Sequence, residues 1–242
     1  MKPVKYPCKG YSGGAFPLPR MREGRGAHRR AWPRSMSQTS QYYNDHATTF
    51  FEATVGVDMG PLHARFLHNI PAGGRILDAG CGSGRAARAF KDRGYQVTAF
   101  DASPELARLA AEHSGLQVQV AHFLSLADAA QLGLPAGTLF DGIWACASLL
   151  HVARRDQPEA WSRLWRLLKP GGFVYASYKH RNAGQPIERM DALGRPFTDC
   201  DEALLPEWLK PLPHVSSVET WLTTDQRPGG AQTWLNALVC RA

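Results

Sequence analysis

The chain has 242 residues, 44% hydrophobic and 20% charged, enough for one α/β domain with a full core, and no run reaches the roughly 18 apolar residues of a membrane span. Its five cysteines (8, 81, 146, 200 and 240) are odd in number and lack C-x-x-C pairs, which favours a reducing, cytoplasmic setting over a disulfide framework or a structural zinc site. The net charge of +7 sits at one end: residues 1–35 hold nine of the 28 Lys/Arg and one of the 21 acids, so the other 207 residues carry 19 basic and 20 acidic groups, and whole-chain charge is no argument for a nucleic-acid partner.

Residues 1–35 contain five glycines and five prolines and too little apolar surface to fold, so they read as a disordered basic tail ahead of a domain over 36–242. The tail fits an Arg-rich targeting segment, a nucleic-acid arm centred on Arg29-Arg30, or a stretch outside the mature protein with translation starting at Met36. Residues 40–54 and about 58–70 read as two helices. Tyr42, Tyr43, Ala47, Phe50 and Phe51 share a face of the first. Pro61 suits the first turn of the second, whose apolar face is Leu62, Phe66, Leu67 and Ile70.

A short apolar strand, Arg75-Ile76-Leu77, then meets Asp78 and three alternating glycines, Gly80, Gly82 and Gly84, before a helical run from Arg85 to Arg93. Strand, glycine turn, helix opens a doubly wound α/β fold, with a ligand at the carboxyl end of the strand. Two patterns fit the turn. Gly82-Ser-Gly-Arg-Ala-Ala87 satisfies the dinucleotide pattern G-x-G-x-x-A, although it begins four residues past Asp78. Asp78-Ala-Gly-Cys-Gly-Ser-Gly84 satisfies D-x-G-x-G-x-G with no residue out of place. In this second pattern the chain resembles the class I S-adenosylmethionine-dependent methyltransferases.

Farther along, Gln96–Phe100 reads as a strand ending in Asp101, which lies 21 residues after Gly80. An acid about 20 residues beyond such a turn is placed to accept hydrogen bonds from ribose hydroxyls. Ser103-Pro104-Glu105 caps a helix to His113, and Leu116–Val120 reads as a third strand. A fourth, Phe140–Trp144, runs on towards His151. A helix follows from Asp156 to Leu168, with Trp161, Leu164, Trp165 and Leu168 as a core stripe. Lys169-Pro-Gly-Gly172 ends it before a strand over 173–178; the run of helix, L-K-P-G-G and strand is a second feature of the resembled family. Residues 179–200 read as a polar loop. A helix over 201–209 and strands near 215–224 and 233–240, joined by the turn Asp225–Gly230, complete the chain.

The resemblance covers about residues 40–240. It implies a single Rossmann-like domain whose seven strands lie in the order 3-2-1-4-5-7-6, the last antiparallel, and S-adenosylmethionine as cofactor. The implied cofactor site is Asp78, Gly80, Cys81, Gly82 and Gly84 at the methionine end, Asp101 and Ala102 at the ribose, Phe123 and Leu124 at the adenine, and Cys146 beside the methionine part. His151 is the one group on the fourth-strand edge able to take a proton near neutral pH, and is either a base for a thiol or hydroxyl acceptor or a local turn cap. Tyr42 and Tyr43 are lid candidates, with packing on the sheet as the alternative. Lys179 and Arg181 are candidates for holding an anionic acceptor, with a solvated loop as the alternative.

The stretches around Cys81–Arg85 and Gly94–Asp101 are similar to the tellurite-resistance and thiopurine type. This points to a small acceptor: a thiol, hydroxyl or metalloid oxyanion. No N-P-P-Y-type tetrapeptide follows the fourth strand, which argues against methylation of amino nitrogens on bases or glutamine. The rival readings are an RNA or protein methyltransferase using the basic arm, a non-enzymatic S-adenosylmethionine binder, and a nicotinamide oxidoreductase.

Overall fold

The computed structural model describes residues 4–5, 38–225 and 230–242. The expectations for residues 1–35 lie outside the described residues except at Val4–Lys5, a two-residue strand paired antiparallel with residues 219–220; most of the Asp225–Gly230 turn lies outside them too. The elements are α1 (Gln38–Asp45), α2 (Ala47–Val55), α3 (Gly60–Leu67), β1 (Arg75–Ala79), α4 (Arg85–Asp92), β2 (Gln96–Asp101), α5 (Pro104–Ser114), β3 (Val118–Val120), β4 (Phe140–Ala145), α6 (Gln157–Arg166), β5 (Leu168–Lys179), β6 (Glu188–Met190), β7 (Pro196–Thr198), α7 (Leu205–Leu209), β8 (Val215–Thr224) and β9 (Thr233–Arg241).

Apart from the Val4–Lys5 strand at its edge, the main sheet runs β3-β2-β1-β4-β5-β9-β8, which is the expected order 3-2-1-4-5-7-6. Strands β1 to β5 are parallel neighbours, and β9 is antiparallel to both β5 and β8. Burial explains the central strand: Ile76, Leu77 and Ala79 are fully buried, as a parallel strand covered on both faces requires. On one face, Phe66 of α3 and Phe90 of α4 pack on Trp144 and Tyr175, whose rings stack at 3.9 Å. On the other, the α6 stripe Trp161, Leu164 and Trp165 is buried as expected. Tyr178 completes that face by accepting a hydrogen bond from the Trp161 indole (3.1 Å) and donating to Gln157 Oε1 (2.9 Å). Among the described residues, no helix is long and apolar enough to cross a membrane.

Three expectations are corrected. The first helix is two, because the chain leaves helical geometry at His46 (φ −117°, ψ 22°). Lys169–Gly172 is an outward excursion inside β5 rather than a turn before it: pairing jumps from Phe140↔Leu168 to Gly142↔Phe173, Gly171 takes φ +76°, and Lys169 pairs with Asp141 at 2.8 Å. Residues 179–200 are not a solvated loop, since β6 and β7 form a hairpin closed by ion pairs. Its strands have three residues each, too few for a visible alternation.

Candidate active site

A cleft of about 1650 Å³ opens at the carboxyl ends of β1, β2, β4 and β5. Its first wall begins at the glycine turn. Gly80, Gly82 and Gly84 all have left-handed φ (73°, 55° and 73°), which an L side chain rarely adopts. The Gly80 and Cys81 amides both donate to Phe100 O, at 3.0 and 2.9 Å, so the turn hangs on β2. Two of the glycines are needed for protein packing. A Cβ on Gly80 would lie 2.6 Å from Ser148 Cβ, and one on Gly84 would lie 2.9 Å from Ala110 Cβ of α5. Ser148 also donates to Ala79 O at 2.7 Å, tying the exit of β4 to the turn. Gly84 is therefore a helix-packing position and does not line the cleft.

Asp101 closes this wall. Its Oδ2 accepts from the Gly82 amide and its Oδ1 from the Ser103 amide, both at 2.9 Å. Burial raises its pKa, opposed by these backbone bonds. Each carboxylate oxygen keeps a lone pair for a further donor, and the residue lines the cleft beside Ala102, Phe123 and Leu124. Phe123 leans on Phe100 edge-to-face with centroids 5.4 Å apart. This combination of an acid with free acceptor capacity and a neighbouring apolar surface fits an adenosine.

Asp78 departs from its expected place. It is buried beneath the turn, lines no part of the cleft, and its Oδ2 has no partner. Burial pushes its pKa up to about 7, with the Ala87 amide pulling the other way. Cys81 and Cys146 both line the cleft, and burial raises both thiols, so they are neutral apolar surface and not nucleophiles.

Side chains from five chain segments make the opposite wall. His151, in a 3₁₀ turn after β4, has Nδ1 3.3 Å from Pro196 O and Nε2 3.0 Å from Tyr43 OH. A carbonyl can only accept, so the proton sits on Nδ1 and Nε2 accepts from Tyr43. Burial lowers the pKa of His151 to about 4, keeping it neutral. Arg195 donates to Tyr43 OH at 3.2 Å and is itself held by Asp191 at 2.6 Å. Lys179 lies 3.6 Å over the Phe197 ring.

Helix α1 spans both walls. Tyr43 reaches His151 and Arg195, while Asn44 Oδ1 accepts from the Glu105 amide (3.1 Å) at the start of α5. Tyr43 therefore covers the cleft as a lid residue would. Tyr42 does not line it and stacks instead on His46 at 4.2 Å. Arg181 pairs with Asp201 away from the cleft. Sequence reasoning missed Ser148, Arg195 and Phe197; the spacing Asp191-x-x-x-Arg195 around Gly194 was the available sign of a short hairpin.

Residues 77–176 match the family model described as a methyltransferase domain. The chain is 36% identical over 106 residues to the malonyl-[acyl-carrier protein] O-methyltransferase of Serratia marcescens, covering 43% of this chain and 38% of that protein. It is 40% identical over 115 residues to the ubiquinone biosynthesis O-methyltransferase of Xanthomonas axonopodis pv. citri, covering 46% and 45%. The chain thus spans less than half the length of these two relatives. Among solved structures, the Burkholderia thailandensis 1,6-didemethyltoxoflavin-N1-methyltransferase, with 1,6-didemethyltoxoflavin and S-adenosylhomocysteine bound, superposes with a TM-score of 0.62. It is 22% identical, over 84% of each chain. The fold is the Rossmann-like fold of these methyltransferases.

Proposed function

We propose that the protein transfers a methyl group from S-adenosylmethionine to an oxygen or sulfur atom of a small molecule. The observation that carries this reading is Asp101: a carboxylate at the carboxyl end of β2, held by the Gly82 and Ser103 amides, with lone pairs left to face the cleft. Asp101 would hold the ribose, Ala102, Phe123 and Leu124 would flank the adenine, and the Gly80–Gly82 backbone with Cys81 and Cys146 would border the methionine end. The relatives' names, O-methyltransferases both, support an oxygen acceptor.

The cofactor supplies a methyl group on a sulfonium, already a good leaving group. The protein's task is then chiefly to hold the acceptor in line and exclude water. Tyr43 and α1 shield the cleft. His151 stands ready with a neutral Nε2, and once an acceptor hydroxyl or thiol displaces Tyr43 OH, that nitrogen can take its proton. Pro196 O fixes the ring orientation.

Transfer of labelled methyl from S-adenosylmethionine into the small-molecule fraction of a cell extract tests the proposal. Label there with the wild type, lost with Asp101→Ala, supports it. Label in RNA or protein would favour the rival acceptor classes, and cofactor binding with no label anywhere would favour a non-enzymatic binder.

A further inference from the structure

Three cations converge on Phe197. Lys179 Nζ lies 3.6 Å from the ring centroid, and the Arg195 and Arg189 guanidinium carbons lie at 5.2 and 5.5 Å. Two of the three are neutralised: Arg195 pairs with Asp191 at 2.6 Å and Arg189 with Asp199 at 2.5 Å. The third is not. Lys179 is half-buried and lines the cleft, and its ammonium forms neither an ion pair nor a hydrogen bond with any described residue. The ring face gives its ammonium some stabilisation, yet its three N–H donors have no acceptor among the described residues. Burial comes first, followed by Arg189, in lowering its pKa to about 8, while Asp199 and Asp191 pull it back. A lysine kept there without a side-chain partner leaves one positive charge on a ring whose other two cations are paired, with the His151 ring centroid 4.9 Å from that of Phe197.

We propose that Lys179 on Phe197 is a carboxylate seat, and that the methyl acceptor is a small organic acid anchored there by its carboxylate. The inference deepens the methyl-transfer reading and rests on it for the word acceptor; the seat itself is testable without turnover. A carboxylate on Lys179 exchanges an unpaired charge for a charge-assisted hydrogen bond. The anchored end lies on Phe197, whose ring also neighbours His151, and both residues line the cleft, so the other end of the molecule can extend along it past the histidine. Since the ammonium must stay protonated, preference for acids is full below about pH 8 and declines above it, until a bound anion raises the lysine's own pKa.

Saturation-transfer NMR on the full chain, with benzoate, phenylphosphonate and benzamide as probes up to roughly 10 mM, tests the seat. Benzoate should bind about tenfold or more tightly than its neutral isostere benzamide. Lys179→Gln should abolish that difference and Lys179→Arg should retain most of it. S-adenosylhomocysteine affinity, measured on each variant, shows that the domain is folded and tests the methyl-transfer reading separately. Benzoate preference without S-adenosylhomocysteine binding would keep the seat and overturn the reading it serves. S-adenosylhomocysteine binding with benzoate no better than benzamide, with no acid detected, or with the preference intact in Lys179→Gln, would overturn the seat. Binding of phenylphosphonate alone would overturn the carboxylate assignment.

Discussion

The wall of the cleft built by β1 and β2 consists mostly of backbone: the left-handed glycines Gly80 and Gly82, amides hung on Phe100 O, and one acid clamped by two amides. The wall built by β4, β5 and the β6–β7 hairpin consists of side chains: Tyr43, His151, Lys179, Arg195 and Phe197. The first surface can hold a ligand common to many proteins, because backbone donors and a single acid vary little with the rest of the sequence. The second can be changed one side chain at a time, and there acceptor choice is expected to reside. The two walls also differ in charge. Buried acids, Asp78 and Asp101, stand behind the first, and cations gathered on one aromatic ring line the second.

The largest effect is expected from a change that breaks the backbone wall. Gly80→Ala places a Cβ 2.6 Å from Ser148 Cβ at φ 73°, combining overpacking with left-handed strain. Together they should cost about 2–4 kcal/mol of stability, read as a lower midpoint in urea. Next comes Asp101→Ala, which removes the proposed ribose acceptor and frees the Gly82 amide. Cofactor affinity should fall by about 1–3 kcal/mol, or roughly five- to 150-fold, by calorimetry with S-adenosylhomocysteine. Retained affinity in that variant would undo the assignment of this wall.

The walls should also oppose each other in acid stability. His151 has its folded pKa depressed to about 4 from 6.5, so between these values the unfolded chain binds more protons; its contribution is full above 6.5 and lost as pH falls towards 4. His63, wedged between Phe90 and Trp144 with a pKa near 4, has the same sign. Asp78 is raised from 3.8 to about 7, so its contribution is full below 3.8 and lost as pH rises to 7. Thermal melts from pH 4 to 8 should therefore rise more steeply with pH in Asp78→Asn than in the wild type, and less steeply in His151→Gln. The smallest effect is expected from Tyr43→Phe. Losing the hydroxyl between His151 and Arg195 should cost about 1 kcal/mol and raise the rate at which α1 opens, measured by hydrogen exchange there.

Much of the first wall was legible because its determinants are local. Asp78, the glycines and Asp101 lie on one strand–turn–helix–strand path, and their spacing is their geometry. Legibility had limits even there. That Gly84 serves α4–α5 packing, and that Asp78 is buried away from the cleft, depend on Ala110 and on burial, which spacing does not show. Lys179 and Tyr43 were readable as candidates but not as partners of anything. Arg195 and Phe197 were passed over because a three-residue strand carries no periodic signal.

The sequence by itself determined the fold class, the strand order through its family resemblance, the apolar stripes of α3 and α6, and the position of the acid beyond the glycine turn. The strand order is what the resemblance implies; the others follow from short-range periodicity and spacing. The tertiary structure decided which residues meet across the cleft. It brought Tyr43 to His151 over 108 positions of chain and to Arg195 over 152, set the His151 proton on Nδ1, and left Lys179 as a cation without a counter-charge. Charge balance and proton location depend on which groups lie within a few ångströms, and for groups so far apart along the chain only the folded packing sets that distance.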